Sequence, residues 1–269
     1  MRKKTYDELQ FRDDFLFCKI LTKRPDIAKE LLELILDIKI ERVEIHKQEE
    51  IEITSNGKGV RLDVYAEDSE NSVYDIEMQT IKKKDLSKRS RYYQGMIDLN
   101  LIERGAKYSQ LKKSYVIFIC MKDPFSAGRH IYTFENTCIE SPEIKLGDET
   151  RKVFLNAAGK EDDVSEELLE FFKLLRTGQG NSRLTKDIVN EVEKARNQDE
   201  WRLEYMTWNL LEQDAREEGI EEGIKKGKKE GLILSIKSLM QKLGYTVTEA
   251  MDVLSIPDDE REQLRAMIK

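Results

Sequence analysis

Two histidines, His46 and His130, occur among 269 residues. That scarcity argues against a His-rich zinc or iron site, and it allows a Ser-His-Asp triad only if one of these two is the base. Both lie in strand-like contexts, IHKQE and GRHIY, where a polar residue at a strand end is the simplest expectation. Cysteine is as sparse. Cys18, Cys120 and Cys138 are odd in number, far apart and set among apolar residues, a pattern of buried free thiols that fits neither a disulfide framework nor a Cys-based zinc site. No apolar run approaches the ~20 residues of a membrane span. The start, MRKKTYDELQFRDD, lacks the apolar stretch of a signal peptide, so a cytoplasmic location without membrane partners is expected. Nor is there a basic excess: 46 Lys and Arg against 53 Asp and Glu leave a net charge of −7. That balance argues against a protein that coats nucleic acid indiscriminately, while leaving room for a local basic groove.

What is present is charge of both signs (37% of residues) beside a hydrophobic fraction of 39%, enough for a sizeable core in a helix-rich chain. With so few histidines and cysteines, metal chemistry would rest on carboxylates, which select hard cations such as Mg²⁺ or Mn²⁺. Residues 5 to 37 show apolar residues at helical spacing, with Pro25 placed to start a second helix. Residues 38 to 54 alternate β-branched residues as a strand or edge ribbon would. A helix is expected after residue 84, capped by Asp85 or Ser87, with Leu86, Tyr93, Ile97 and Leu101 inward and Gly105 at its end. SYVIFICM, residues 114 to 121, reads as a strand buried on both faces. HIYTFENTCIE and RKVFLNA read as two more strands, separated by turns at Pro142 and Gly147. The expected class is α/β, a central mixed sheet flanked by helices with an all-helical C-terminal region. Its expected divisions are a core over 1–158, a helical extension over 159–215, a glycine-laddered helix or linker over 216–231, and a small helical module over 232–269.

The stretch RLDVYAEDSENSVYDIEMQ, residues 61 to 79, reads as a hairpin bearing acids on both strands. Side chains alternate faces, so Arg61, Asp63 and Tyr65 share one side, as do Asp75, Glu77 and Gln79. A loop centred on Glu70 sets Asp63 opposite Glu77 and Arg61 opposite Gln79. Facing residues have Cβ atoms roughly 4.5–5.5 Å apart, and two carboxylates that close raise a pKa or call for a cation. The plainer alternative is the solvated face of an ordinary antiparallel hairpin.

Arg61-Leu-Asp63, then Asp75-Ile-Glu77-Met-Gln79, then Arg89-x-x-Tyr92-Tyr93 resemble the Rpn family of recombination-promoting nucleases, transposase-like members of the PD-(D/E)xK nuclease superfamily. Asp14-Phe15 through Lys19 is similar to that family's N-terminal motif. The resemblance covers about the first two thirds of the chain. It implies a four-stranded mixed sheet flanked by helices and Mg²⁺-dependent hydrolysis of DNA phosphodiesters. It also implies that Asp63 and Glu77 are metal ligands, helped by the backbone carbonyl of Met78, and that Gln79 stands where the wider superfamily carries lysine. A glutamine can orient water but brings no charge. Asp14 is a further candidate, as an added ligand or a supporting carboxylate, or simply a helix-start charge.

Directly downstream, Lys82, Lys83, Lys84, Lys88, Arg89 and Arg91 gather against one acid, Asp85. Phosphate contacts by these residues, with Tyr92 and Tyr93 as aromatic surface, would position DNA beside the hairpin. A solvated helix start is the alternative for the lysines. Near the C-terminus Gly219, Gly223, Gly227 and Gly231 recur every fourth residue between EE and KK blocks. Each glycine costs a helix about 1 kcal/mol relative to alanine, so close helix–helix approach in a homo-oligomer, expected to be a dimer, is one explanation and a flexible linker the other. Three readings of function stand: a metal-dependent DNA endonuclease, a DNA-binding or interaction scaffold with residual carboxylates, and a purely structural oligomer driven by the glycine ladder.

Overall fold

The computed structural model describes residues 4–46, 50–51, 60–103 and 105–268. A single 3-10 turn at Tyr6–Glu8 leads to α1 (Asp14–Lys23) and α2 (Pro25–Leu36). The helical reading of residues 5 to 37 holds, with Pro25 at the first position of α2, where its missing N–H has no helical partner to lose. Strand β1 (Val43–His46) follows, with the short β2 (Glu50–Ile51) and β3 (Val60–Arg61), then β4 (Val64–Asp68) and β5 (Val73–Gln79). Of the strand expected over 38–54, residues 38–42 are not in a strand, and 47–49 and 52–54 lie outside the described residues. Helix α3 (Leu86–Leu101) crosses to β6 (Ser114–Cys120), followed by β7 (Ile131–Phe134) and β8 (Thr150–Asn156). Asp85 takes the N-cap position of α3 without a capping side-chain bond. The helix stops at Leu101, and Gly105 turns the chain afterwards at φ +88°.

Six strands form one mixed sheet in the order β1-β4-β5-β6-β8-β7, with β2 and β3 paired as a separate ribbon. β1, β4 and β5 run antiparallel, β5, β6 and β8 parallel, and β7 returns antiparallel to β8. This sheet is wider than the four strands that the resemblance implied. β5 and β6 lie at its centre, and every residue of both is buried; for β6 the apolar run of residues 114 to 121 foretold it.

The central strands present two interiors. On one side Tyr65, Val73, Val116, Phe118, Cys120 and Phe154 pack against Leu86, Tyr93, Met96 and Ile97 of α3. Those helix residues are spaced three and four apart, which gives α3 one apolar stripe. Val64, Ala66, Tyr74, Ile76 and Met78 point to the opposite side and are equally buried. There α1 and α2 meet β1, and α1 also meets β4.

Helices α4 (Glu166–Thr177) and α5 (Arg183–Arg196) are capped by Ser165 and Ser182, whose hydroxyls accept backbone N–H bonds from Leu168 and Thr185. α5 packs with α1 and α2, and α4 packs with α2 and α5. The compact units are accordingly Met1–Arg202 and Leu203–Lys269, not a core ending at 158. The boundary falls inside α6 (Asp199–Leu243), which is helical through all four ladder glycines. In the second unit the end of α6, α7 (Val247–Val253) and α8 (Asp258–Met267) share a small core of Ile236, Ala250, Met251, Ile256 and Leu264. Gly244, at φ +70°, and Pro257 punctuate these helices. No helix among the described residues is long and apolar enough to cross a membrane.

Candidate active site

The β4–β5 register pairs Val64 with Ile76 and Tyr65 with Asp75, so the hairpin is centred on Glu70 and Asp63 comes opposite Glu77. The two carboxylates are tied crosswise through the backbone. The Asp63 N–H donates to Glu77 Oε1 at 3.0 Å, and the Met78 N–H donates to Asp63 Oδ2 at 3.0 Å. Asp63 sits at the bend just before β4, and Glu77 is two residues from the end of β5. The side chain of Arg61, expected opposite Gln79, lies outside the described residues.

This polar face is not solvated. Asp75 and Glu77 are fully buried and Gln79 nearly so, because α3 covers the same side of the sheet. From α3 the Arg89 guanidinium reaches down to them, donating to Glu77 Oε2 at 2.8 Å and to Gln79 Oε1 at 3.2 Å. It also donates through Nε to the Tyr93 hydroxyl at 2.7 Å and lies 4.8 Å from the centre of the Tyr93 ring. Phe118 of β6 supports the same guanidinium at 5.7 Å. The Gln79 amide donates to the carbonyl of Met78 at 2.8 Å. Gln79 therefore presents its oxygen to a cation and its nitrogen to a carbonyl, and both halves of the amide are used.

Burial in this setting favours neutral carboxyls. Desolvation and then the charge of Asp63 push Glu77 well above its usual range, against the pull of the Asp63 N–H and of Arg89. Asp75 is also held well above its usual range, by burial first and by Glu77 and Asp63 next. Among the described residues, none donates a hydrogen bond to either Asp75 oxygen. In its neutral form Asp75 has a proton to offer Glu77, whose proximity contributes to the upward shift. Asp14, the first residue of α1, has an exposed surface, yet enough protein surrounds its carboxyl that desolvation, then Asp63 and Asp13, lift it to about 6. Lys83 acts on Asp14 in the opposite sense. Asp14, Asp63, Asp75 and Glu77 thus share one electrostatic neighbourhood, served by Arg89 from α3 and Lys83 from the following loop.

A family model described as PD-(D/E)XK nuclease family transposase matches residues 11–206. The chain belongs to this family. No curated protein and no solved structure matches it. The family match takes in every site residue named above and runs through α5 into the start of α6, close to the limit of the first compact unit.

Set beside the nuclease motif, the basic residues divide into two groups. Lys82, Lys83, Lys84, Lys88, Arg91 and Tyr92 are exposed, and Lys82 donates to the Ser126 hydroxyl at 2.9 Å, tying the loop after β5 to the loop after β6. Arg89, expected on the DNA-facing surface, turns into the sheet, and Tyr93, expected both in the inward stripe of α3 and among the DNA contacts, is buried. Their separation from Lys88 and Tyr92 is the helical period at work: residues one apart on α3 point about 100° apart.

Asp75 is the participant that the sequence reading left on a generic polar face. Its parity with Glu77, together with a neighbouring strand apolar on both faces, was the available signal. The histidines are structural in placement. His46 ends β1, and His130 is held by Asp163 at 3.0 Å and stacked on Phe172. Cys18 and Cys120 are buried and Cys138 partly so, all as free thiols.

Among the described residues no three His, Cys, Asp or Glu side chains are arranged to enclose a metal ion. The donor set, one or two carboxylates with a backbone carbonyl nearby, is of the hard oxygen type that suits a divalent cation with water completing its shell.

Proposed function

We propose that this protein is a metal-dependent DNA endonuclease that hydrolyses phosphodiester bonds, with Mg²⁺ or Mn²⁺ as cofactor, in the service of recombination or transposition. The observation that carries the reading is the crosswise Asp63–Glu77 pair, set with Gln79 on a buried sheet face where negative charge exceeds its protein counter-charge. Asp63 and Glu77 would hold the cation, with the Met78 carbonyl as a neighbouring oxygen. A bound divalent cation supplies Lewis-acid charge at the scissile phosphate and acidifies water.

The chain's own residues supply the rest. Gln79 orients the attacking water through its amide. Arg89, in contact with Gln79 and Glu77, brings to this position the positive charge that glutamine lacks relative to lysine. Asp14 and Lys83, which act on each other electrostatically, add an acid and a cation to the neighbourhood of this pair. Lys84, Lys88, Arg91 and Tyr92 lie outward on the same loop and helix and would contact the DNA backbone.

The scaffold reading has one specific observation in its favour. Both oxygens of Glu77 already have partners, the Asp63 N–H and Arg89, so this carboxylate is satisfied without metal. The deciding experiment incubates supercoiled plasmid with the protein in Mg²⁺, Mn²⁺, Ca²⁺ or EDTA, beside Asp63→Ala and Glu77→Ala. Nicking that needs Mg²⁺ or Mn²⁺ and is lost in both variants is the expected result. A folded protein that shifts DNA in a gel and never nicks it would leave the scaffold.

A further inference from the structure

Between Gln79 at the end of β5 and Leu86 at the start of α3 the chain runs Thr80-Ile-Lys-Lys-Lys-Asp85, and every residue of that loop is exposed. Ile81 is 57% exposed, while Leu86 fills the inward position of the stretch. A single exposed aliphatic residue is ordinary on a protein surface. Ile81 differs in where it stands and in how it is held. Just before it, the Met121 N–H donates to the Gln79 carbonyl at 2.9 Å. Just after it, the Lys82 ammonium donates to the Ser126 hydroxyl at 2.9 Å. Ser126 is itself anchored, because the Asp123 carboxylate accepts the N–H groups of Phe125, Ser126 and Gly128 and the hydroxyl of Tyr132. Lys83, the next residue along, acts on Asp14. An anchored loop thus presents Ile81 outward, and its β-branched side chain is stiff.

Its position is also distinctive. Gln79 pairs with Cys120, and Cys120 with Asn156, so the candidate site lies at that end of the central strands. The exposed Ile139, Ile144 and Leu146 fall in the connection between Phe134 and Thr150, at the far end, where Ser114 pairs with Thr150. Ile81 is the exposed aliphatic side chain beside the site. Two residues of chain reach at most about 7 Å, and DNA rises about 3.4 Å per nucleotide, so Ile81 stands within about two steps of a phosphate held at Gln79.

We propose that Ile81 enters the base stack of bound DNA next to the cleaved phosphate, so that the substrate is duplex that unstacks readily there. The position of the DNA is taken from the nuclease reading. Lys83, Lys84 and Lys88 bring phosphates to the loop without reading sequence. An aliphatic side chain among them gains nothing from phosphate or water, and it gains apolar contact by parting two bases. Parting them is costly in a continuous helix and cheap at a mispair or a flexible pyrimidine–purine step. Discrimination of this kind needs no hydrogen bond to any base edge.

The test mixes the full chain, in Ca²⁺ or EDTA, with a duplex carrying 2-aminopurine beside one mispair and with its fully paired counterpart. Wild type is expected to brighten the 2-aminopurine as its stacking is lost, and to bind the mispaired duplex roughly tenfold more tightly. Ile81→Ser should bind both duplexes alike and leave the base stacked. Its salt dependence should match wild type, because the cations are intact. Ile81→Leu should behave as wild type. With Mg²⁺, wild-type cuts should gather within about two phosphates of the mispair, and those of Ile81→Ser should spread along the duplex. DNA binding by wild type without brightening, or brightening that survives Ile81→Ser, would overturn the proposal and leave the nuclease reading intact. Unstacking that depends on Ile81 with no cleavage in any metal would support the inserted isoleucine and sink the nuclease. A wild type that binds neither duplex would sink both.

Discussion

Arg89 is the residue on which the buried face depends. It satisfies Glu77, Gln79 and Tyr93 at once, and its side chain is still 23% exposed. Arg89→Met leaves the Glu77 carboxylate buried without its counter-ion. The expected cost is about 3 kcal/mol, the low end for breaking a buried pair because water reaches the guanidinium. Chemical denaturation at pH 8 measures it, and the loss should shrink at pH 5.5, where Glu77 takes up a proton. The metal-free protein carries a related pH dependence. Asp14, Asp75 and Glu77 have folded-state pKa values above their unfolded ones. Between the ordinary carboxylate range and those raised values the folded state binds more protons, so stability falls as pH rises. The melting temperature without metal should be higher at pH 5.5 than at pH 8. Millimolar Mg²⁺ or Mn²⁺ should raise the value at pH 8, by about 2.7 kcal/mol of stability if the cation is at 100 times its dissociation constant. A melting temperature flat across this range, with or without metal, would contradict the assigned electrostatics.

At the scale of elements, the outward row of α3 and the loop before it is separable from the inward one. Lys84→Ala with Lys88→Ala leaves the core untouched and should lower the slope of log affinity for DNA against log salt by about 2, equally for unrelated sequences. The loop after β8 allows no such freedom. A Cβ on Gly159 would lie 2.4 Å from the His130 ring and 2.9 Å from its Cα, while Asp163 and Phe172 hold that ring in place. Gly159→Ala should cost about 1–3 kcal/mol through overpacking, read as a lowered melting temperature. Much of this level was legible in the sequence. Alternation located the hairpin and its centre, Pro25 divided α1 from α2, and an unbroken apolar run marked β6. What escaped were consequences of long-range packing. Residues 61 to 79 do not say that α3 folds over their polar side, so a solvated face and a buried one looked alike. Arg89 and Lys88 differ in role only because one turns toward the sheet. Likewise α4 and α5 were set apart as an extension, because helical periodicity records that an apolar stripe exists and not which helix covers it.

At the scale of the whole molecule there are two units with separate cores, one of which carries the family match almost entirely. Met251 is fully buried in the smaller core. Met251→Ala should cost about 2–5 kcal/mol there and lower one calorimetric transition, while the transition of the first unit and its response to Mg²⁺ stay where they were. The sheet order also bears on synthesis. Asp63 meets Glu77 across a hairpin, a contact between near neighbours in the chain that forms in about 1–10 μs once both strands exist. Arg89 can settle on Glu77 only when α3 lies against Phe118, and β5 is sealed only by its parallel partner β6, which ends at Cys120. A ribosome therefore releases the acidic hairpin some forty residues before the strand that encloses it. Until then the nascent chain carries exposed, mutually repelling carboxylates, and the polar face that α3 covers in the finished fold stands open to water.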